Sequence, residues 1–189
     1  MVYTGQVAGT RKQQILDTAA ELFAERGFHG VSVHDIGAAC GISGPALYKH
    51  FSGKDDILAR ALTNISQQLL ATGEERVAAS VSAQEALTEL IGWHIDFALG
   101  HRAFIVIQER EWPNLDAAAR KEVRTLQLAY IDVWVETLRA LRPDLDKPEA
   151  RAAVQATFGL LNSTPHSARI SEVRMRELLA AMATQSLVG

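Results

Sequence analysis

The chain has 189 residues and 48% hydrophobic content, enough for a small helical head and a larger body with its own core. No run of eighteen apolar residues occurs, which excludes a membrane-spanning helix. Residues 1–9 lack the charged-then-apolar pattern of a secretion signal, which points to the cytoplasm. Cys40 is the only cysteine, so no intrachain disulfide forms, and a net charge of −3 excludes a broadly basic chain.

The first helix is expected from Ile15, Ala19, Leu22 and Phe23, which recur at helical spacing until Gly27 stops the pattern. Ser32-Val33-His34-Asp35 has the form of a capping box and opens a second helix through Ile36 and Ala39 to Cys40, where Gly41 turns the chain. Ser43 is placed to cap a third, short helix with Pro45 in its first turn, where the missing N–H costs nothing. Leu47 and Phe51 share the inward face of this helix, which leaves Gly44, Pro45, Tyr48 and Lys49 outward. Ser52-Gly53-Lys54-Asp55 reads as another capping box, starting a long helix with Leu58, Leu62, Ile65 and Leu69 on one stripe.

Helix, second helix, tight turn and short outward-facing helix is the order that lays a helix end in the major groove of DNA. The first sixty residues carry six basic groups against six acids, so placement matters more than net charge. Arg11 and Lys12 start the first helix, Lys49 sits on the short helix, and Lys54 starts the long one.

Beyond residue 79 the chain reads as helices with short breaks. Ser82 to Glu85 caps a helix to about Leu99, and a shorter one follows from Arg102 to Glu111. Trp112-Pro113-Asn114 breaks the pattern before a long helix from Asp116 to Leu141. Asp146 caps the next helix, which has Pro148 in its first turn, and a final helix runs from Ser171 to Gln185. No stretch alternates with period two over a strand's length, so the fold class is all-α.

Trp93, His94, Phe97, Phe104, Gln108, Tyr130, Trp134, Phe158 and Asn162 are aromatic or polar residues set among apolar faces. They are the candidate walls of a mostly apolar ligand pocket, with plain core packing as the competing reading for each. Glu109-Arg110-Glu111 reads as a solvated or self-paired charge cluster, with Arg110 the alternative anchor for an acidic ligand group. Residues 162–166 either end their helix or line the pocket. Enzyme signatures are missing from the sequence: no HExxH, no Gly-rich phosphate loop and no GxSxG elbow. His94 and His101 would be about 10 Å apart along a continuous helix, too far to share a zinc ion. No metal or cofactor is expected.

From Arg11 to Leu62 the sequence resembles the TetR family of bacterial transcriptional regulators, most densely over Gly41 to Lys54. The resemblance implies that Tyr48, His50 and Lys54 contact the DNA backbone, and that Ser43, Gly44, Pro45 and Lys49 lie nearest the bases, with Ala46 or Pro45 able to meet a thymine methyl. Gly44 and Pro45 depart from the commoner pattern of a longer polar residue and a glycine, so few side-chain donors face the base edges. The resemblance also implies a head over residues 1–53 and a ligand-binding and dimerisation body over 54–189. The last two long helices, bearing Ala152, Ala153, Ala156, Gly159 and Leu160 and then Leu178, Leu179 and Met182, would pair across a homodimer. The expected function is a repressor released from a palindromic operator by a mostly apolar effector, with acyl-CoA or fatty-acid chemistry favoured. A multidrug-responsive regulator of efflux and an activator of the same architecture are the alternatives.

Overall fold

The computed structural model describes residues 10–189, so the expectation for residues 1–9 lies outside them. Ten α-helices and one 3-10 turn follow in chain order. They are α1 Arg11–Arg26, α2 Val33–Ala39, α3 Gly44–Tyr48, α4 Lys54–Ala79, α5 Ala83–Gly100 and α6 Arg102–Arg110. The turn Trp112–Asn114 comes next, followed by α7 Ala117–Leu141, α8 Lys147–Leu161, α9 Thr164–Ser167 and α10 Glu172–Val188. No strand occurs among the described residues, as an all-α reading requires.

The head is closed largely by the side chains the helical spacing predicts, with Leu16 and Ile57 added and Leu22 only partly buried. Ile15, Leu16, Ala19 and Phe23 of α1 are buried with Ile36 of α2, Leu47 of α3, Phe51, and Ile57, Leu58 and Leu62 of α4. Ser32 and Asp35 complete the expected reciprocal cap of α2, with the Ser32 oxygen accepting from the Asp35 N–H and the Asp35 carboxylate accepting from the Ser32 N–H. Gly41, at φ 66°, supplies the left-handed turn between α2 and α3 that a side chain would strain. The cap of α4 differs from expectation. Gly53 is its N-cap, and the Ser52 N–H donates to Asp56 at 2.9 Å, so the carboxylate reaches back one residue further than a capping box. Ser43 occupies the N-cap position of α3 without a side-chain bond.

α4 is 26 residues long and belongs to both parts. Its first turns pack on α1, and its later turns lie against α5 and α7 in the body. α7 packs against α4, α5 and α8, while α10 covers α5 and α8. α6 leaves the body to lie along α1, which gives the head a second attachment. No single helix among the described residues is long and apolar enough to cross a membrane.

Candidate DNA interface and effector chamber

α3 presents a small, mostly side-chain-poor face. Leu47 is fully buried beneath it, while Tyr48 is 57% exposed and Ser43, Pro45, Lys49 and His50 are exposed. Gly44 and Ala46 are half-buried at its edge. The helix ends at Tyr48, so Lys49 projects from its C-terminal cap and His50 from the turn that leads to Phe51. Three other expected cations also make contacts within the head. The Arg11 guanidinium donates to the Cys40 carbonyl at 2.6 Å and closes the end of α2. The Lys54 ammonium donates to the Phe28 and Val31 carbonyls at 3.0 and 3.2 Å and lies 4.3 Å from the centre of the Phe28 ring. The ammonium of Lys12 lies 5.9 Å from the centre of the Phe51 ring. These cations meet carbonyl ends and aromatic faces because both are partly negative and would otherwise be left to water.

A partly open chamber of about 100 Å3 lies in the body between α4, α5, α6, α7 and α8. Of the nine expected wall residues, His94, Phe97, Gln108, Tyr130, Phe158 and Asn162 line it. His94 is the centre of its polar edge. Its Nε2 lies 3.0 Å from Asn162 Oδ1 and its Nδ1 3.4 Å from the Tyr130 hydroxyl. The carbonyl oxygen of Asn162 only accepts, so Nε2 carries the proton and Nδ1 accepts from Tyr130. Complete burial lowers the His94 pKa to about 4, against a smaller opposing effect of the Asn162 bond, so the ring is neutral near pH 7. Burial likewise raises the Tyr130 pKa above the usual phenol range, which keeps its hydroxyl a donor.

Three expected wall residues do not reach the chamber. Trp93 is one position from His94 and so turns about 100° around α5. Its ring N–H faces the Leu69 carbonyl at 3.4 Å, and the Arg76 guanidinium lies 5.5 Å from its ring centre. Trp134 is wholly buried one turn beyond Tyr130, edge-on to His94 and Phe158 at 5.9 and 5.0 Å, and forms the packing behind the wall. Phe104 lies one turn before Gln108 on α6 and packs against His101 instead. Ser66 and Leu69 of α4, with Gln127 and Ile131 of α7, complete the wall and were not foreseen. Ser66 interrupts the apolar stripe of α4, and Gln127 stands one turn before Tyr130 and Ile131; these were the available signals. A larger groove of about 640 Å3 lies near Val81 between the end of α4, the start of α5 and α7; it counts Glu74, Glu136 and Thr137 among its lining residues but is more open to solvent. The less open chamber is therefore the better candidate for an effector.

Residues 15–61 match the family model described as bacterial regulatory proteins of the tetR family, and residues 80–166 match the tetracyclin repressor-like C-terminal domain. The HTH-type transcriptional repressor KstR2 of Mycobacterium tuberculosis is 30% identical over 149 residues, covering 75% of this chain and 74% of that protein. The chain belongs to the TetR family. A fatty acid metabolism regulator of Bacillus subtilis is 25% identical over 157 residues, covering 80% of this chain and 79% of that one. Among solved structures, a TetR-family regulator from Bordetella parapertussis superposes with a TM-score of 0.81 at 24% identity, with 95% of each chain covered. FadR from Bacillus subtilis in complex with stearoyl-CoA gives 0.72 at 20% identity, covering 92% and 98%. AibR in complex with isovaleryl coenzyme A and operator DNA gives 0.72 at 24%, covering 91% and 97%. The chain is thus a ligand-responsive, DNA-binding transcriptional regulator of this family.

In this TetR-family chain the cluster at the end of α6 does more than pair with itself. Arg110 and Glu111 do meet, at 2.8 Å, as the charge pattern suggested. Arg110 also donates to the Phe23 and Ala24 carbonyls at the end of α1, the latter at 2.9 Å. Glu111, only 4% exposed, accepts from the Phe28 N–H at 3.2 Å and from the Asn114 side-chain amide at 2.8 Å. The end of α6 is therefore latched to the open end of α1, two residues after Gln108 touches the chamber.

Proposed function

We propose that this protein is a cytoplasmic homodimeric repressor whose two heads hold a palindromic operator until an apolar effector enters the chamber. We infer a boundary at residue 53, with residues 54–189 forming the effector-binding and dimerisation body. On this reading Ser43, Gly44, Pro45, Ala46 and Lys49 meet the bases, and Tyr48 and His50 meet the backbone. Arg11, Lys12 and Lys54 set the orientation of that face and complete the phosphate contacts. The observation that carries the reading is the single helix α4. It starts beside the exposed Tyr48–Lys49 face and lines the chamber with Ser66 and Leu69. An effector that prefers one spacing of the heads then shifts operator affinity by its differential affinity for the two states, and reciprocally.

The effector is proposed to be an acyl-CoA or a related acyl compound. The relatives named above as a fatty-acid regulator and as acyl-CoA complexes support that class. A regulatory rather than catalytic role follows from the same family membership. Selection of binding sites from random duplex DNA, followed by anisotropy titration, tests the reading. The expected site is two-fold symmetric with half-sites about 34–36 Å apart or a multiple of that. Lys49→Ala should alter the selected sequence, whereas His50→Ala should weaken all sequences alike. Failure to select any symmetric site with folded protein would refute the proposal.

A further inference from the structure

The geometry points to a two-part effector: a short apolar group of about four to five carbons in the chamber, joined through a polar link to a bulky anionic part outside. This deepens the acyl-effector reading and rests on it. The chamber holds about 100 Å3, whereas an apolar cavity of roughly 150 Å3 takes a benzene-sized guest. It falls below the usual range of ligand pockets, roughly 300 Å3 upward. A second groove, of about 340 Å3, adjoins it on the outside. The two share Gln108, Gln127 and Ile131, so these three residues form the threshold between them.

The chemistry changes across that threshold. Inside, the walls are aromatic and aliphatic apart from the polar edge at His94 and the Ser66 hydroxyl. At the threshold the Gln127 amide nitrogen is buried and has no hydrogen-bond partner in the protein. A buried donor left unpaired is destabilising, and a ligand carbonyl passing between the spaces would satisfy it. Outside, the groove contains Arg124, Trp112 and Gln155 and no carboxylate. Arg124 makes no ion pair among the described residues and is free to meet a phosphate or carboxylate, with Trp112 lining the same groove.

The chamber cannot readily lengthen. The Tyr130 ring packs close against α4, filling the space a side chain at Gly73 would take, since a Cβ there would lie only 2.7 Å from it. Trp134 is fully buried behind it, and Phe158 stacks on His94 at 4.5 Å. A long straight chain would have to displace several of these rings, and close-packed interiors resist that. Chain length is therefore limited by the rings, and the anionic part is recognised outside them.

Thermal midpoints and operator affinity measured with isovaleryl-CoA, butyryl-CoA, palmitoyl-CoA, free CoA and free isovalerate test the inference. Isovaleryl-CoA and butyryl-CoA should raise the midpoint and release operator, with palmitoyl-CoA and free isovalerate each at least tenfold weaker. Arg124→Ala should weaken short acyl-CoA binding about tenfold and leave ligand-free operator binding unchanged. Phe158→Ala, or Phe158→Leu if the first does not fold, should shift preference toward longer chains. Palmitoyl-CoA binding as tightly as the short thioesters, or an unchanged affinity in Arg124→Ala, would overturn the proposal. If operator is bound but only some other apolar compound releases it, the two-part effector falls and the repressor reading stands. If short acyl-CoAs bind but no symmetric DNA does, the repressor reading falls and the chamber assignment stands.

Discussion

His94 holds two polar partners in a buried site, and its cost appears only on acidification. In the unfolded chain its pKa is about 6.5, and burial brings it down to about 4 in the fold. Between those values the unfolded chain binds the proton that the folded one refuses, so stability falls as pH drops from about 6.5 toward 4. The full difference is about 3 kcal/mol. Urea unfolding at pH 7 and pH 4.5 should show a steeper loss for the parent than for His94→Gln, which has no such group. Equal losses would mean that the ring is protonated in the fold. Trp134 is the other decisive residue. It lies behind the wall with no exposed surface, so Trp134→Ala should cost about 3–5 kcal/mol and impair operator binding through instability. A stable Trp134→Ala protein that had lost only its effector response would restore Trp134 to the ligand wall.

At the scale of elements, α6 is the shortest path between chamber and head other than α4. Gln108 touches the chamber, and one turn later Arg110 and Glu111 hold the end of α1 and the Phe28 N–H. Hydrogen bonds to charged groups contribute about 1.5–3 kcal/mol, within reach of the 1–3 kcal/mol typical of coupling between sites. Arg110→Ala should therefore reduce the effector's leverage on operator affinity by about fivefold or more, while effector affinity itself changes little. Paired titrations of DNA in the presence and absence of effector would measure this ratio. An unchanged ratio would leave α4 as the sole lever.

For the whole molecule, the proposed homodimer would bury the outer faces of α8 and α10. Val173, Leu178 and Met182 are exposed apolar side chains on α10, beside exposed Ala152, Ala156 and Gly159 on α8. Leu179, expected from its sequence neighbours in the same seam, is only 2% exposed and packs inside its own subunit with Met175 and Ala183. The two neighbours thus predict different failures. Leu178→Lys combined with Met182→Lys should give a folded monomer of 20.6 kDa by light scattering, with operator affinity greatly reduced. Leu179→Lys should lower the melting midpoint instead, because the charge would be buried without a partner. A parent protein that is monomeric at micromolar concentration would remove the two-headed mechanism.

All the helices but the four-residue α9, where Thr164-Pro165 reads as a break, and the outward face of α3 were legible in the sequence because each rests on local rules. Apolar spacing, Ser and Asp caps, and the glycine turn at Gly41 act within a few residues of one another. Six of the nine expected wall residues line the chamber, each an aromatic or polar side chain set on an apolar helix face. What the sequence left open depended on residues far apart in the chain. Trp93 and His94 differ by one position but by about 100° in direction, and only the packing of α4 and α7 against α5 decides which of them meets the cavity. The engagement of Lys54 with the Phe28 and Val31 carbonyls, and of Glu111 with the Phe28 N–H across 83 residues, needed the folded chain to bring those groups together. Chamber size was equally hidden, because a volume of about 100 Å3 is the small space left between rings supplied by three helices.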